Sequence, residues 1–283
     1  MGKIIELFGK AGEAEGVNWM ELVNTQQCLF LNKRCYKIRK SDPNTAIGTC
    51  TVLYSKVPEP IIICPTRLIE RGQIFVDCFH LLTTHEPGNE LHVVSEVTVP
   101  GGSVDFVLVS VKNGKVRDFV GIELQTLDTT GTVWPERQRF LKDLGVPRTD
   151  DAENSEKSFG MNWKMTAKTI LIQIHHKLKT FEHVNKKMVL VVQDRFLAYM
   201  TGEFKFDHVK NYASIGDSMH LHAYRMNRAQ TGDYRLSLVA RLSTDADGIS
   251  TCLGLQAEAR VELEQIISVL QDKISPATLF CPV

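Results

Sequence analysis

Apolar and polar positions follow two different rhythms along this chain, and the changes of rhythm divide it into strands and helices. From Val104 to Val111 and from Phe119 to Leu124 apolar residues dominate, with the turn pair Asn113-Gly114 between them. That arrangement predicts a β-hairpin. Leu91 to Val99 reads as a preceding strand that turns at Pro100-Gly101-Gly102 into the first strand of the hairpin. Trp163, Ala167, Ile170, Leu171, Ile174 and Leu178 recur at helical spacing, which predicts a long helix over Ser158 to Lys179. Met188 to Val192 is wholly apolar, the pattern of a strand inside a sheet covered on both faces. Tyr234 to Leu242 reads as another strand and Gln256 to Ile274 as a closing amphipathic helix. Weaker signals predict a short helix around Trp19 to Val23, a strand at Ile61 to Cys64, a helix over Leu68 to Leu82 and another starting at Pro135. Strand, long helix and strand in succession give a mixed α/β sandwich.

The hairpin carries the chemistry. Alternation along a strand puts Glu123 and Gln125 on one face and Ile122 and Leu124 on the other. If Asn113 and Gly114 alone formed the loop, Asp105 would stand opposite Ile122, with Glu123 on the far face. A three-residue loop, Lys112-Asn113-Gly114, with a bulge instead places Asp105 opposite Gly121 and diagonal to Glu123. Such diagonal neighbours lie about 7–8 Å apart, a span that a metal and its oxygen ligands bridge. Gly121 would then leave room for the ion. Carboxylates on otherwise buried strands are costly unless something cationic meets them, which points to a divalent metal. A surface hairpin with solvated acids is the competing reading.

A chain of 283 residues can bury a full core, and one domain with an appended module is expected: an N-terminal module over 1–85 and the main domain over 86–283. With neither a signal peptide nor a long uncharged apolar run, a soluble cytoplasmic protein without membrane contact is expected. The 33 basic residues balance 33 acidic ones, so any affinity for nucleic acid must come from local clusters. Three basic runs stand out: Lys33 to Lys40, Arg137 with Arg139 and Lys142, and Lys177 with Lys179, Lys186 and Lys187. A solvated face is the commoner meaning of any such run. The polar stretch Asp150-Asp151-Ala152-Glu153 reads as a surface linker. Of seven cysteines, Cys28, Cys35, Cys50 and Cys64 fall within the first 64 residues. Four thiolates can close a tetrahedral shell around zinc or iron, but cysteines so spaced also serve as small buried hydrophobes.

Asp105 followed by Glu123-Leu124-Gln125 resembles the signature of the PD-(D/E)xK nuclease superfamily, with glutamine where lysine usually stands. The likeness sharpens to the NotI-like type II restriction endonucleases. It rests on Cys28-Leu29-Phe30-Leu31, Cys35-Tyr36-Lys37, Gly48-Thr49-Cys50-Thr51-Val52 and Cys64-Pro65-Thr66-Arg67, with leucine in place of proline after the first cysteine. It rests also on Val104-Asp105-Phe106, on Gly121-Ile122-Glu123-Leu124-Gln125-Thr126 and on the long helix from Phe159 to Lys177. These matches cover most of the first 200 residues.

The resemblance implies a PD-(D/E)xK mixed β-sheet flanked by helices and an N-terminal module in which Cys28, Cys35, Cys50 and Cys64 hold a structural iron or zinc, remote from the cleavage chemistry. It implies a further acid upstream of Asp105, matched by Glu90 on separation, with Glu96 as the alternative. Asp105 and Glu123 would bind catalytic Mg²⁺, and Gln125 would orient water. The expected protein is a bacterial restriction-modification endonuclease acting on double-stranded DNA as a homodimer at a palindromic site, with Arg137, Arg139 and Lys142 touching the DNA. The rival readings are a DNA-repair or less specific nuclease of the same fold and a non-catalytic DNA-binding protein.

Overall fold

The computed structural model describes residues 3–54, 57–147, 158–255, 267–268 and 271–272. The linker expected at Asp150 to Glu153, and nearly all of the closing helix expected over Gln256 to Ile274, lie outside the described residues. An N-terminal sheet of four strands is built from β1 (Lys3–Leu7), β2 (Lys10–Ala11), β3 (Thr49–Tyr54) and β4 (Val57–Ile62), ordered β2-β1-β3-β4. Helix α1 (Trp19–Thr25) lies between the second and third of these strands, with the Asn18 side chain accepting from the Glu21 N–H at its start. That cap satisfies one of the amide groups a helix leaves without an internal partner. Where one helix over Leu68 to Leu82 was expected, the chain makes a 3-10 segment (Pro65–Gly72), helix α2 (Gln73–Cys78) and a last 3-10 turn (Phe79–Leu81). The break falls at Arg71 and Gly72, both left-handed with φ of 54° and 66°.

The second sheet has six strands: β5 (Glu90–Val99), β6 (Gly102–Lys112), β7 (Lys115–Gln125), β8 (Lys187–Gln193), β9 (Met219–Arg228) and β10 (Tyr234–Thr244). Their order across the sheet is β10-β9-β8-β7-β6-β5. Strands β7, β8 and β9 run parallel, and the outer pairings are antiparallel. Parallel neighbours need a crossover, which α4 (Trp163–His183) supplies between β7 and β8 after the shorter α3 (Trp134–Asp143). Helix α5 (Asp194–Glu203) then precedes β9, and α6 (Ala246–Cys252) follows β10. Met188 to Val192 is fully buried, as its unbroken apolar run requires.

Alternation sorts the strands between two cores. Val107, Val109, Met188 and Leu190 face α4, meeting Ala167, Ile170, Leu171, Ile174 and Leu178. Leu108, Val120, Ile122, Leu124, Val189 and Val191 face the other way, onto Leu68, Ile74, Cys78 and Leu81. Ile4, Val52, Ile61 and Ile63 from the N-terminal strands belong to the first of these cores. One buried arginine ties the layers together: Arg67 donates to Glu6 on β1 at 3.0 Å, to Glu70 at 2.9 Å and to the Tyr234 carbonyl on β10 at 3.0 Å.

Candidate active site

The hairpin turns through Asn113 and Gly114, both left-handed (φ 52° and 69°), with Lys112 facing Lys115 across a two-residue loop. The expected three-residue loop is therefore absent. A bulge does its work instead: Val111 pairs with Val116, but Ser110 pairs with Asp118, so β7 gains one residue. From there the register runs unbroken to Phe106 opposite Ile122. One step further stand Asp105 and Glu123, in line rather than diagonal, where facing residues are about 4.5–5.5 Å apart at Cβ. The extra residue is what brings both acids to one face, because a one-residue slip moves every side chain to the other. Asp118 anchors the bulge: its carboxylate accepts from the Thr84 N–H at 2.7 Å, the Phe119 N–H at 2.8 Å and Lys186 at 2.8 Å. Gly121, expected to make room for an ion, instead makes room for the Phe181 ring of α4, which a Cβ there would meet at 2.6 Å.

Asp105 takes a hydrogen bond from the Leu124 N–H at 2.8 Å, which pins one carboxylate oxygen where strand pairing ends. Glu123 is buried and bonded at 2.7 Å to Lys177, itself buried on α4. Burial pushes the Glu123 carboxyl up to about 7, against the pull of Lys177, and the negative charges of Asp105 and Glu96 add to the rise. Asp105 is raised by the same burial and by Glu96, with Leu124 and Lys177 opposing. Buried carboxylates raised further by neighbouring negative charge are short of positive charge.

Of the two candidates for the further acid, Glu96 lies beside Asp105 and Glu90 does not. Glu90 pairs with Val111 and bonds to His92, six residues along the sheet from the site, on the order of 20 Å at strand rise. Glu96 lines the same pocket as Asp105, and it is left-handed, with φ 56°. A glutamate in that region carries backbone strain of about 1–3 kcal/mol, and such strain concentrates at functional sites. Gln125 donates its amide to the Thr126 carbonyl at 2.6 Å.

Sequence reasoning placed Lys177 in a solvated basic run and missed its role. The signal was present: Lys177 falls three residues after Ile174 and four before Phe181, on the apolar stripe of α4. Its stem has room because the Pro100-Gly101-Gly102 turn lies directly on the helix. A Cβ on Gly101 would come within 2.8 Å of the His176 carbonyl oxygen, and one on Gly102 within 3.1 Å of Lys177 Cε. Thr180 fastens the turn by donating to the Pro100 carbonyl at 3.0 Å.

Cys28, Cys35, Cys50 and Cys64 are all buried. Cys50 lies at the start of β3, and the Ile63 N–H, next to Cys64, donates to the Cys50 carbonyl at 3.0 Å. The Cys64 thiol is drawn well below its usual range, chiefly by a hydrogen bond from the Cys50 thiol, and Cys50 is raised correspondingly. The charge of Cys64 is felt at both Cys28 and Cys35. Among the described residues no three histidine, cysteine, aspartate or glutamate side chains converge closely enough to hold a metal ion. The cysteine segment is also nearer the acids than expected. A pocket of about 290 Å³ has Leu31, Tyr36, Pro65 and Thr66 on its walls together with Glu96, Asp105, Phe106 and Leu124.

Of the basic residues after the hairpin, Arg137 is turned inward. It is buried, donates to the Ile47 carbonyl at 2.7 Å and packs on the Trp134 ring 4.6 Å away. Its guanidinium, expected at the DNA, thus lies among protein groups. Arg139 is paired with Glu136, and Lys142 is exposed. No helix among the described residues is long and apolar enough to cross a membrane.

A protein-family model described as restriction endonuclease NotI matches residues 38–236, more than half of the chain. The match takes in Cys50, Cys64, Glu96, Asp105, Glu123 and Lys177 and begins after Cys28 and Cys35. Among curated proteins none matches the chain.

Proposed function

The chain belongs to the NotI restriction endonuclease family and is a type II, site-specific deoxyribonuclease; from that premise we infer that Glu96, Asp105 and Glu123 form its phosphodiester-cleaving centre. The observation that carries the reading is the bulge between Ser110 and Val111, which sets Asp105 and Glu123 on one face of adjoining strands. Carboxylate oxygens are the donor type that Mg²⁺ prefers, and burial raises Asp105 and Glu123, with the charge of Glu96 adding at both and that of Asp105 at Glu123, which fits a site that gains from a cation. Asp105, Glu123 and Glu96 would hold it. When bound, the ion polarises the scissile phosphate and lowers the pKa of a coordinated water.

The protein's own groups then orient the reactants. The Leu124 N–H keeps Asp105 fixed, Lys177 keeps Glu123 fixed, and Gln125, on the same face as Glu123, is placed to contact a phosphate oxygen or a water. Arg139 and Lys142, on the helix that follows, are read as phosphate contacts that set DNA register without reading sequence. Cleavage of both strands at a palindrome is most simply done by two symmetric copies. Cys28, Cys35, Cys50 and Cys64 are read as ligands of one structural iron or zinc. The burial of all four thiols, with the charge of Cys64 felt at the other three, supports this, since soft thiolates suit those metals and not magnesium. The module over 1–85 would gain folding energy from the ion.

Digestion of mixed-sequence plasmid in Mg²⁺ tests the function. Discrete fragments are expected. A smear would favour a less specific nuclease, and uncut DNA a binding protein.

A further inference from the structure

We infer that the positive charge absent from the strand motif at Gln125 is supplied from the long helix by Lys177, which holds Glu123 in place and sets its ammonium beside the scissile phosphate. The inference deepens the cleavage-site reading and rests on it. Three carboxylates meeting a phosphodiester concentrate negative charge, and position 125 contributes a neutral amide whose donor is already directed at the Thr126 carbonyl. Lys177 lies 2.7 Å from Glu123, and its charge is felt at Asp105 as well, so it faces both acids of the hairpin.

A lysine carried on the apolar stripe of a helix costs desolvation, and a purely structural ion pair is a poor return for it. The surroundings are shaped around this side chain. Gly101, at φ 95°, lets the turn lie against the helix backbone, and Gly102, at φ 138°, leaves the space that the lysine stem fills. The turn leads directly into Ser103, Val104 and Asp105, so the contact that admits the lysine also fixes the start of the strand bearing the first acid.

In the reaction, the water oxygen bonds to phosphorus as the bond from phosphorus to the leaving deoxyribose oxygen breaks. The water gives its proton to solvent, and the leaving oxygen takes one from solvent. Lys177 exchanges no proton. Its charge offsets the negative charge that builds on the non-bridging oxygens, the kind of preorganised stabilisation whose removal costs about 10²–10³-fold in rate.

The experiment compares single-turnover plasmid cleavage in Mg²⁺, DNA binding in Ca²⁺ and thermal unfolding for Lys177→Met, Lys177→Gln and the double variant Lys177→Met/Gln125→Lys. Each single variant should lose about 10²-fold or more in rate, with DNA affinity within a few-fold of the parent. The double variant should recover at least ten-fold of that loss, because position 125 shares a strand face with Glu123. A folded, DNA-binding Lys177 variant that cuts at the parent rate overturns the inference. So does a double variant that folds as well as the single ones and recovers nothing, which would leave Lys177 a structural partner of Glu123. If Lys177→Met does not fold, the polar, neutral Lys177→Gln decides by the same rate. Asp105→Asn in parallel separates the two readings, since its cutting at the parent rate would remove the site itself.

Discussion

The carboxylates Asp105 and Glu123 stand on neighbouring strands whose register is set within one hairpin, whereas Cys28, Cys35, Cys50 and Cys64 sit on separate strands and loops of the N-terminal region. The two groups approach the same pocket from different walls, through Glu96, Asp105 and Leu124 on one side and Leu31, Tyr36 and Thr66 on the other. One is held by the regular hydrogen-bond ladder of a sheet. The other depends on what crosses between elements. The difference predicts that damage to the cysteine wall reaches the fold first, and that damage to the hairpin wall reaches the chemistry first.

The largest effects are expected where the cysteine wall is tied to the rest. Arg67, three residues after Cys64, is fully buried and packs over the Phe30 ring while bonding Glu6 and Glu70. Arg67→Ala should lower unfolding free energy by about 3–5 kcal/mol in a urea titration, since it leaves buried carboxylates without their partner. An effect under about 1 kcal/mol, the value of an exposed ion pair, would show that the wall is not anchored there. Replacing any one of the four cysteines by serine should lower the melting temperature before it alters cleavage by the molecules that remain folded. Elemental analysis of protein purified without added metal should find about one iron or zinc per chain, as a single four-ligand site requires.

On the hairpin side a paired test separates two glutamates of one strand. Glu96→Gln should slow cleavage by about 10–100-fold, the usual cost of losing a supporting group at a metal site. Glu90→Gln should leave it unchanged, because Glu90 sits at the far end of β5 beside His92. Equal effects would break the assignment.

A smaller effect is expected in acid. The Asp118 carboxyl, despite its burial, is held below its usual range by Lys186 and by the N–H groups of Thr84 and Phe119. Its folded value being the lower, it contributes stability that is present above the unfolded pKa of about 4 and is lost as pH falls through the folded value. Asp118→Asn should therefore flatten the fall in melting temperature below about pH 4. An unchanged acid limb would mean that the bulge is not held by this charge.

Much of the hairpin was legible because alternation and turn chemistry are local. Asn113-Gly114 marked the turn, and a shared site for Asp105 and Glu123 then required, by parity, one residue more than that turn provides. The device that satisfied parity was not legible, since the Val116–Arg117 region gives no residue signal for a bulge and its anchor, Asp118, reaches Thr84 and Lys186 far along the chain. Glu96 was open as an alternative to Glu90, but only the fold shows that Glu96 shares a pocket with Asp105. Lys177 was hidden by reading lysines as a run along the chain rather than by helix face. The burial of Arg137 was hidden for the complementary reason: its pattern suits an exposed helix, and the Trp134 ring and the Ile47 carbonyl draw it inward. The break at Arg71-Gly72 defeated the single helix expected over Leu68 to Leu82 because apolar spacing continues through it.

The claim that Asp105 and Glu123 are one cleavage centre is tested most directly by the single-turnover rate of plasmid cutting in Mg²⁺ for Asp105→Asn and Glu123→Gln, with DNA binding measured in Ca²⁺. Both substitutions keep side-chain shape and remove a charge. Each should lower the rate by at least about 10²–10³-fold while the protein still folds and binds DNA. Cutting at the parent rate by either variant would contradict the account.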